Sequence, residues 1–327
     1  MKRAAWGVWT LAGWLVASAA SAQVELTWKL AHNRTVLLEP IRATIAIVNN
    51  TGQTLDLTPR GNAQLFFDVE DQPTSPVPAS GRPLLAQPVL IPSGETREID
   101  VNLLDAYRIV KGQTYMLRPA LEFAGLRFFG ERLALEVQPG LELVARAYGV
   151  PAAGDARKVS LRLINRDRND HLFFRIDDAS TDYCLGVYDL GRVIRFFAPV
   201  LEQDRDGVFH VLHQTAPDRF AHSAFDHAGA PQGTTFYVGT MGGIHLARTA
   251  TGAVEVQGGT PFVEDAEHPG QLVAPTLPPS HPYATTLGEP PAERRAAEKE
   301  RNAAEKKKAR AAAAEEKSHA GSDAVSW

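Results

Sequence analysis

Cysteine is almost absent from this sequence, in which Cys184 is the only one among 327 residues. A lone thiol excludes an intramolecular disulfide, so the stability of the folded chain must come from its hydrophobic cores. The surrounding segment, Tyr183–Gly186, has the composition of a strand. We therefore interpret Cys184 as a buried, unreactive thiol rather than as a nucleophile.

Long apolar runs are lacking after the first 22 residues, which excludes a transmembrane helix there because a span needs about 20 apolar residues. The beginning of the chain is different. Met1–Arg3 carries positive charge, residues 4–17 are uncharged, and the small residues Ala20–Ala22 follow. This is the pattern of a secretory signal peptide, so we predict cleavage after Ala22 and export to the periplasm or the extracellular space.

Recognisable catalytic motifs are missing as well. The chain contains no G-x-S-x-G, no H-E-x-x-H and no G-x-x-x-x-G-K-[ST]. Their absence excludes the most recognisable hydrolase, metalloprotease and nucleotide-binding signatures. We therefore expect a protein that is not an enzyme and that needs no cofactor.

Basic residues are fewer than acidic residues in the body of the chain. Of the net charge of −4, the signal segment carries +2, residues 292–317 carry +3 and the residues after them carry −1. Residues 23–291 therefore carry −8. An acidic body argues against nucleic acid as a partner.

The sequence does contain alternating apolar and polar residues. They alternate from Val24 to Leu30 and again from Ile41 to Ile47, where Asn49–Gly52 then supplies turn residues. Further strands are predicted at residues 64–70, 97–103, 114–123 and 132–137. Roughly seven short strands at this spacing predict an immunoglobulin-like β-sandwich over residues 23–138.

Four turn and strand segments of this region carry a resemblance to a known family. They are Glu39–Ile41, Asn49–Gly52, Pro92–Glu95 and Gly112–Tyr115. In this order they resemble bacterial exported Ig-like domains, including those of the intracellular-proteinase-inhibitor type, over about residues 24–138. The resemblance implies a fold, and no reactive loop can be matched. Within it, Tyr115 has the position of a tyrosine corner, with a half-buried strand tyrosine as the alternative.

A second β-rich region follows at residues 139–262. Its candidate strands are residues 158–163, 172–176, 193–197, 208–213, 220–225, 235–238, 244–247 and 253–256. Segments with glycine at positions 191, 207, 229 and 252 are typical of hairpin turns. We predict a β-meander or sandwich domain here, and thus an all-β protein with two domains in tandem.

The last residues have a different composition. Proline and loop-forming residues dominate residues 263–291 and predict a linker. Residues 292–327 are rich in Ala, Glu, Lys and Arg but lack a heptad stripe of Leu, Ile or Val. We predict a charged tail, helical or disordered, rather than a coiled coil.

A cluster of acidic residues is the first candidate metal site. Glu202, Asp204 and Asp206 alternate before Gly207, as in the first half of a calcium loop. His213 stands where such a loop has its bidentate carboxylate, and a strand is predicted to follow. A polar hairpin turn is the alternative.

Histidines are concentrated nearby, with five between residues 210 and 245. His210 and His213 are three apart, so on a regular strand they point to opposite faces and do not share a metal. A zinc site that combines one of them with His222 of a neighbouring strand is the second hypothesis, against scattered surface or core histidines.

These observations favour a non-enzymatic binding or structural protein of the bacterial cell envelope, with an envelope protein or a polysaccharide as its partner. The alternatives are a metal-dependent or hydrolytic enzyme with its site in the second domain, and a protease inhibitor acting through the first. Adjacent phenylalanines at 66–67, 128–129, 173–174 and 196–197 place one ring on each side of a strand. The ring that faces outward needs a cover, which packing between the domains can supply.

Overall fold

The computed structural model describes residues 24–71, 75–150 and 155–262, and in these ranges the protein is almost entirely β-structure. The prediction of an all-β protein is confirmed. The predicted signal peptide, linker and tail lie outside the described residues. No helix in the described ranges has the length and apolarity that a membrane crossing would require.

The N-terminal half, residues 24–138, forms two main sheets that enclose one core, and all their strand pairs are antiparallel except the parallel pair of β2 and β11. Its elements are β1 (Val24–Leu30), β2 (Arg34–Val36), β3 (Arg42–Asn49), β4 (Leu55–Asp56), β5 (Ala63–Asp71), β6 (Ser75–Pro76), β7 (Leu90–Ile91), β8 (Thr96–Asn102), α1 (Leu103–Ala106), β9 (Thr114–Phe123), β10 (Leu126–Phe129) and β11 (Leu133–Gln138). One sheet has the order β1-β3-β8, and the other has the order β2-β11-β9-β5-β6 with β10 on β9. Their facing apolar residues, such as Ile45, Phe67 and Leu117, are buried between them.

Tyr115 at the start of β9 makes the contact predicted for a tyrosine corner. Its hydroxyl donates to the carbonyl of Lys111 over 3.1 Å and accepts from the Lys111 amide over 3.2 Å. The ring is buried, and burial raises the pKa of the phenol. The side chain thus ties the loop before β9 to the sheet, which confirms the prediction.

The C-terminal half, residues 141–262, forms a second pair of sheets. Its strands are β12 (Leu141–Gly149), β13 (Ala156–Arg166), β14 (Asn169–Asp178), β15 (Cys184–Arg192), β16 (Val200–Gln203), β17 (Phe209–Ala216), β18 (Arg219–Phe225), β19 (Pro231–Gly239), β20 (His245–Arg248), β21 (Val254–Gln257) and β22 (Gly259–Phe262). One sheet has the order β12-β13-β14-β15 and the other the order β16-β17-β18-β19-β22, so both are largely meanders. Between them Phe174 stacks on Phe225 with ring centroids 4.1 Å apart.

Two predictions about the segment after Cys184 are wrong. Residues 193–197 do not form a strand, and Gly191 does not mark a hairpin turn, because β15 continues to Arg192. Leu190 and Gly191 stand together opposite the single residue Leu172, which makes a β-bulge. Gly191 has the positive φ of 88° that both a turn and a bulge require, so its sequence signal is the same for either.

The strand assignment failed elsewhere in the C-terminal half too. None of the predicted strands corresponds to β12, β15, β16 or β22. The pair at 196–197 lies outside any strand, with Phe196 79% exposed and Phe197 packed edge-on against Phe220. The predicted turns at Gly207, Gly229 and Gly252 are confirmed, since each glycine has positive φ between paired strands.

The two halves share a small hydrophobic cluster. Val36 and Leu38, which end and follow β2, pack with Ile164, Phe173 and Val187 on the sheet formed by β12–β15. Phe173 is fully buried in this cluster, while its neighbour Phe174 faces the C-terminal core. For this pair, the prediction that the outward ring is covered by packing between the halves is confirmed.

Candidate ligand cavity between the two halves

A buried ion network joins the halves beside that cluster. Arg166 ends β13 with a side chain only 1% exposed, and it pairs with Glu39 of the N-terminal half and with Asp189 of β15. Glu39 Oε2 also accepts from Thr35 Oγ1 over 2.6 Å and from the amide of Val36 over 2.9 Å. Paired and hydrogen-bonded charges are the form in which a folded protein tolerates charge at such depth.

The backbone conformation of neighbouring residues fixes the positions of Arg166 and Glu39 in this network. Asp167 and Arg168 form a two-residue loop between β13 and β14, and both have the positive φ typical of a tight hairpin turn. That turn sets Arg166 at the end of its strand. Leu38 also has positive φ, at 73°, and this conformation carries the chain into Glu39.

Asp189 is held by the bulge. Its Oδ1 accepts from the Gly191 amide over 2.7 Å, and its Oδ2 lies 3.1 Å from His171 Nδ1 and 3.0 Å from Arg166 NH1. Burial alone would raise the pKa of Asp189, but the contacts with His171, Gly191 and Arg166 lower it below its usual value. Asp189 is therefore held as a carboxylate.

A cavity of about 330 Å³ opens beside this network. Its wall combines Glu39, Arg166 and Asp189 with apolar side chains from both halves, including Pro40 and Leu190. Arg166 Nε is buried and has no hydrogen-bond partner among the described residues. Since nearly all buried polar groups in folded proteins are paired, this unpaired donor is an unusual feature of the network.

His213 lies behind the same wall. The side chain is fully buried, and neither ring nitrogen makes a hydrogen bond of acceptable geometry within the described ranges. Burial lowers the pKa of His213 to about 4, although the charge of Asp189 and the nearby carbonyls of Leu190 and Arg192 act in the opposite direction. The imidazole is therefore neutral at physiological pH.

Of the predicted zinc ligands, His210 and His222 come together. They lie on one face of the sheet, where His222 is diagonal to His210 in the register of β17 and β18. His210 Nδ1 is 3.0 Å from His222 Nε2, and the rings stack with centroids 5.2 Å apart. His213, three residues from His210, points to the other face, as predicted.

Asp204 joins this histidine pair. Its Oδ2 lies 3.3 Å from His210 Nε2, so both ring nitrogens of His210 already face a neighbour. The three side chains form a row and do not converge on one point. Burial, followed by the charge of His210, lowers the pKa of His222 to about 4. In the described part of the chain, no group of three or more His, Cys, Asp or Glu residues could hold a metal ion.

The predicted calcium loop has the hydrogen bonds of a polar hairpin turn. Asp204 Oδ1 accepts from the amide of Val208 over 2.8 Å, and the Asp204 amide donates to the carbonyl of Val208. Glu202 lies in β16 and faces Arg248 at 3.9 Å, while Asp206 is exposed. Calcium and zinc binding by these residues remain hypotheses beside the alternatives of a polar hairpin turn and of histidines without a metal.

Cys184 is fully buried beside the ion pair of Arg175 and Asp177. Burial raises the pKa of the thiol to about 12, in spite of the nearby charge of Arg175. A thiol with this pKa is not a nucleophile at neutral pH. The predicted burial of Cys184 is confirmed, and its lack of reactivity stays a prediction.

In comparisons with known proteins, no family model and no curated protein matches this chain. None of Glu39, Arg166 and Asp189 was a candidate on sequence grounds. Each is an ordinary charged residue at a strand end or turn, and only the tertiary contacts bring them to one wall.

Proposed function

We propose that this protein is an exported, non-enzymatic binding protein of the bacterial cell envelope, and that its ligand occupies the cavity between the two halves. The observation that carries this proposal is the cavity itself, which is lined by residues of both halves and bordered by the buried ion network of Glu39, Arg166 and Asp189. Junctions between structural units are common positions for ligand sites.

The network is suited to binding because its geometry is set before any ligand arrives. Arg166 is held by Glu39 and Asp189, and Asp189 is held in turn by the amide of Gly191. Groups held in place by such contacts lose little freedom on binding, which favours affinity.

The same wall is poorly suited to acid–base catalysis. A general base works best when its pKa lies near the operating pH, whereas the pKa of Asp189 is lowered below its usual value. Nδ1 of the neighbouring His171 lies within hydrogen-bonding distance of the Asp189 carboxylate, so this nitrogen is not available to a substrate. These features support a binding role.

Export is supported by the N-terminal pattern of Met1–Ala22. An Ig-like assignment for the N-terminal half is supported by its two facing sheets and by the tyrosine corner at Tyr115.

Cell fractionation followed by N-terminal sequencing tests export. We expect envelope-associated protein that begins at Gln23, and cytoplasmic protein with an intact N-terminus would contradict the proposal.

Binding at the cavity is tested by filling it from its rim. Ala31 lines the cavity and is exposed, so Ala31→Trp places a large ring there without burying a polar group. Ala134→Trp, at an exposed alanine of β11 that does not line the cavity, is the matched control. Calorimetry and thermal unfolding with a panel of sugars, amino acids and peptides measure binding. We expect binding by the parent and by Ala134→Trp but not by Ala31→Trp, and equal binding by all three would overturn the proposal.

A further inference from the structure

A second concavity, an open cleft of about 460 Å³, lies at one end of the sheet formed by β12–β15. It shares no lining residue with the cavity between the halves. Its lining includes Arg168, Arg192 and Arg195 but only one acidic residue, Asp170. The sign of the charge is thus reversed locally, because residues 23–291 as a whole carry a net −8. A basic cleft of this kind attracts anions to one place on an acidic protein.

The single carboxylate of the cleft is already paired. Asp170 Oδ2 lies 2.9 Å from Arg195 Nε, and its Oδ1 accepts from Asn165 Nδ2 over 3.1 Å. In the described part of the chain, no acidic group forms an ion pair with Arg168 or Arg192, and both residues are exposed. The cleft therefore offers two unpaired guanidinium groups. A guanidinium binds a carboxylate through two parallel hydrogen bonds.

The backbone that carries these arginines is held in place. Arg168 is the second residue of the two-residue loop between β13 and β14, and its φ of 66° is one for which asparagine or glycine is usual. Arg192 ends β15. The amides of the next residues, Val193 and Ile194, donate to one carbonyl of β14 and one of β17, both over 2.8 Å. Fixing the backbone before a ligand arrives lowers the entropy cost of binding.

The uncharged part of the lining indicates what accompanies the anion. Phe196 is 79% exposed, which makes it the most exposed large hydrophobic residue of the described ranges. Its ring offers an apolar face to a ligand. Asn165 and Asn169 also line the cleft, and an amide side chain both donates to and accepts from hydroxyl groups. A ligand with carboxylates, hydroxyl groups and an apolar C–H face is a sugar acid.

We propose that this cleft binds an acidic polysaccharide, with the carboxylates of its uronic acids at Arg168 and Arg192. The site goes beyond the cavity of the proposed function and does not depend on it. The volume of the cleft lies within the range of ligand sites.

A single polysaccharide chain fits these observations better than the other anionic partners do. Charges more than about 8 Å apart are largely screened, so a chain that enters the cleft is influenced mainly by the local arginines. An anionic membrane would also lie against the acidic remainder of the protein. An acidic peptide carries carboxylates but no hydroxyl groups for Asn165 and Asn169.

The test measures binding to the full chain by calorimetry at low ionic strength. The probes are short oligomers of galacturonic acid and of mannuronic acid. The methyl esters of the same oligomers are the matched ligands, since they keep the rings and lose the charge. A glutamate-rich peptide and vesicles that contain phosphatidylglycerol represent the other anionic partners. We expect binding of the uronic acid oligomers alone, and a loss of this binding as salt is added.

The double variant Arg168→Gln with Arg192→Gln tests the location of the site. We expect it to lower the affinity for the uronic acid oligomers at least about tenfold, because each arginine provides hydrogen bonds to a charged group. Arg60→Gln with Arg97→Gln removes the same charge at two exposed arginines outside the cleft, so it is the matched control and should not change the affinity. Phe196→Ala should cause a smaller loss. Circular dichroism establishes that each variant is folded.

The outcomes separate this site from the cavity between the halves. If the uronic acid oligomers bind equally to the two double variants, or if they do not bind at all, the proposal is overturned. Binding of the methyl esters, the peptide or the vesicles that is as tight as that of the uronic acids overturns the assignment of the ligand. Uronic acid binding that is lost in Ala31→Trp but kept in the variant of Arg168 and Arg192 would place this ligand in the cavity, and the proposed function would stand.

Discussion

Glu39 and Arg166 are 127 positions apart in the chain, and their side chains form a buried ion pair between the two halves of the protein. Arg166 also lies over the ring of Phe173, with its guanidinium carbon 5.0 Å from the ring centroid. Arg166 therefore makes both an ion pair and an aromatic contact at the junction between the two halves. The stability of that junction and the shape of the cavity beside it depend on the same side chains.

Removing Arg166 should destabilise the whole protein. Arg166→Ala leaves Glu39 buried without its cationic partner, and breaking a buried pair in this way costs about 3–5 kcal/mol. Urea unfolding followed by fluorescence measures the change. Arg97→Ala, at an exposed position of β8, is the control and should stay within about 0.5 kcal/mol of the parent. Similar losses in both variants would show that the pair does not hold the halves together.

Acidification should weaken the fold in a pH range set by the fully buried His213 and the half-buried His222. The pKa values of His213 and His222 are both lowered to about 4, from an unfolded value of about 6.5. In that interval the unfolded chain binds more protons than the folded one, so the free energy of unfolding falls as the pH falls from 6.5 to 4. Summed over this pH interval, each histidine lowers the free energy of unfolding by on the order of 3 kcal/mol. Urea unfolding at a series of pH values measures it.

His213→Leu should remove part of that slope and raise stability at neutral pH. The substitution eliminates two buried nitrogens that lack partners among the described residues. Leaving such groups buried costs about 1–3 kcal/mol, so we expect a gain of about 1 kcal/mol at pH 7 after allowance for imperfect packing. His227→Leu, at an exposed histidine, is the control. An unchanged pH slope in His213→Leu would contradict the assignment of the acid sensitivity to His213.

Much of the fold could be predicted because its signals are local. The alternation from Val24 to Leu30 requires only that one face of a strand be buried, and β1 has these bounds. The tyrosine corner at Tyr115 was predictable for the same reason, since its hydroxyl reaches only four residues back along the chain.

The cavity could not be predicted because it depends on contacts between distant segments. Nothing near Arg166 in the sequence specifies that Glu39 will pair with it. Gly191 shows a second limit, since one glycine with positive φ serves equally in a hairpin turn and in a bulge. Asp189 owes its position in the network to that bulge. Because the pattern at Gly191 predicts a hairpin turn, no feature of the sequence places Asp189 beside Arg166.

Phe173 should prove essential to the junction. It is fully buried in the cluster shared by the halves, and Phe173→Ala would leave a cavity there at a cost of about 3–5 kcal/mol. Phe196→Ala is the control, because that ring is 79% exposed and should contribute little. Thermal unfolding measures stability, and limited proteolysis of the connection around residues 139–140 reports the contact between the halves. Resistance to proteolysis in Phe173→Ala equal to that of the parent would contradict this role.

Metal analysis tests whether Asp204, His210 and His222 bind a metal ion. Both nitrogens of His210 face neighbours in that row, so a metal would have to displace the contact of 3.0 Å with His222. A stable zinc site also needs four ligands, and the row supplies three that do not converge. We therefore expect no stoichiometric zinc or calcium after dialysis, measured by elemental analysis. One equivalent of metal that is lost in both Asp204→Ala and His210→Ala, with the fold retained, would instead favour a metal-dependent function in the C-terminal half.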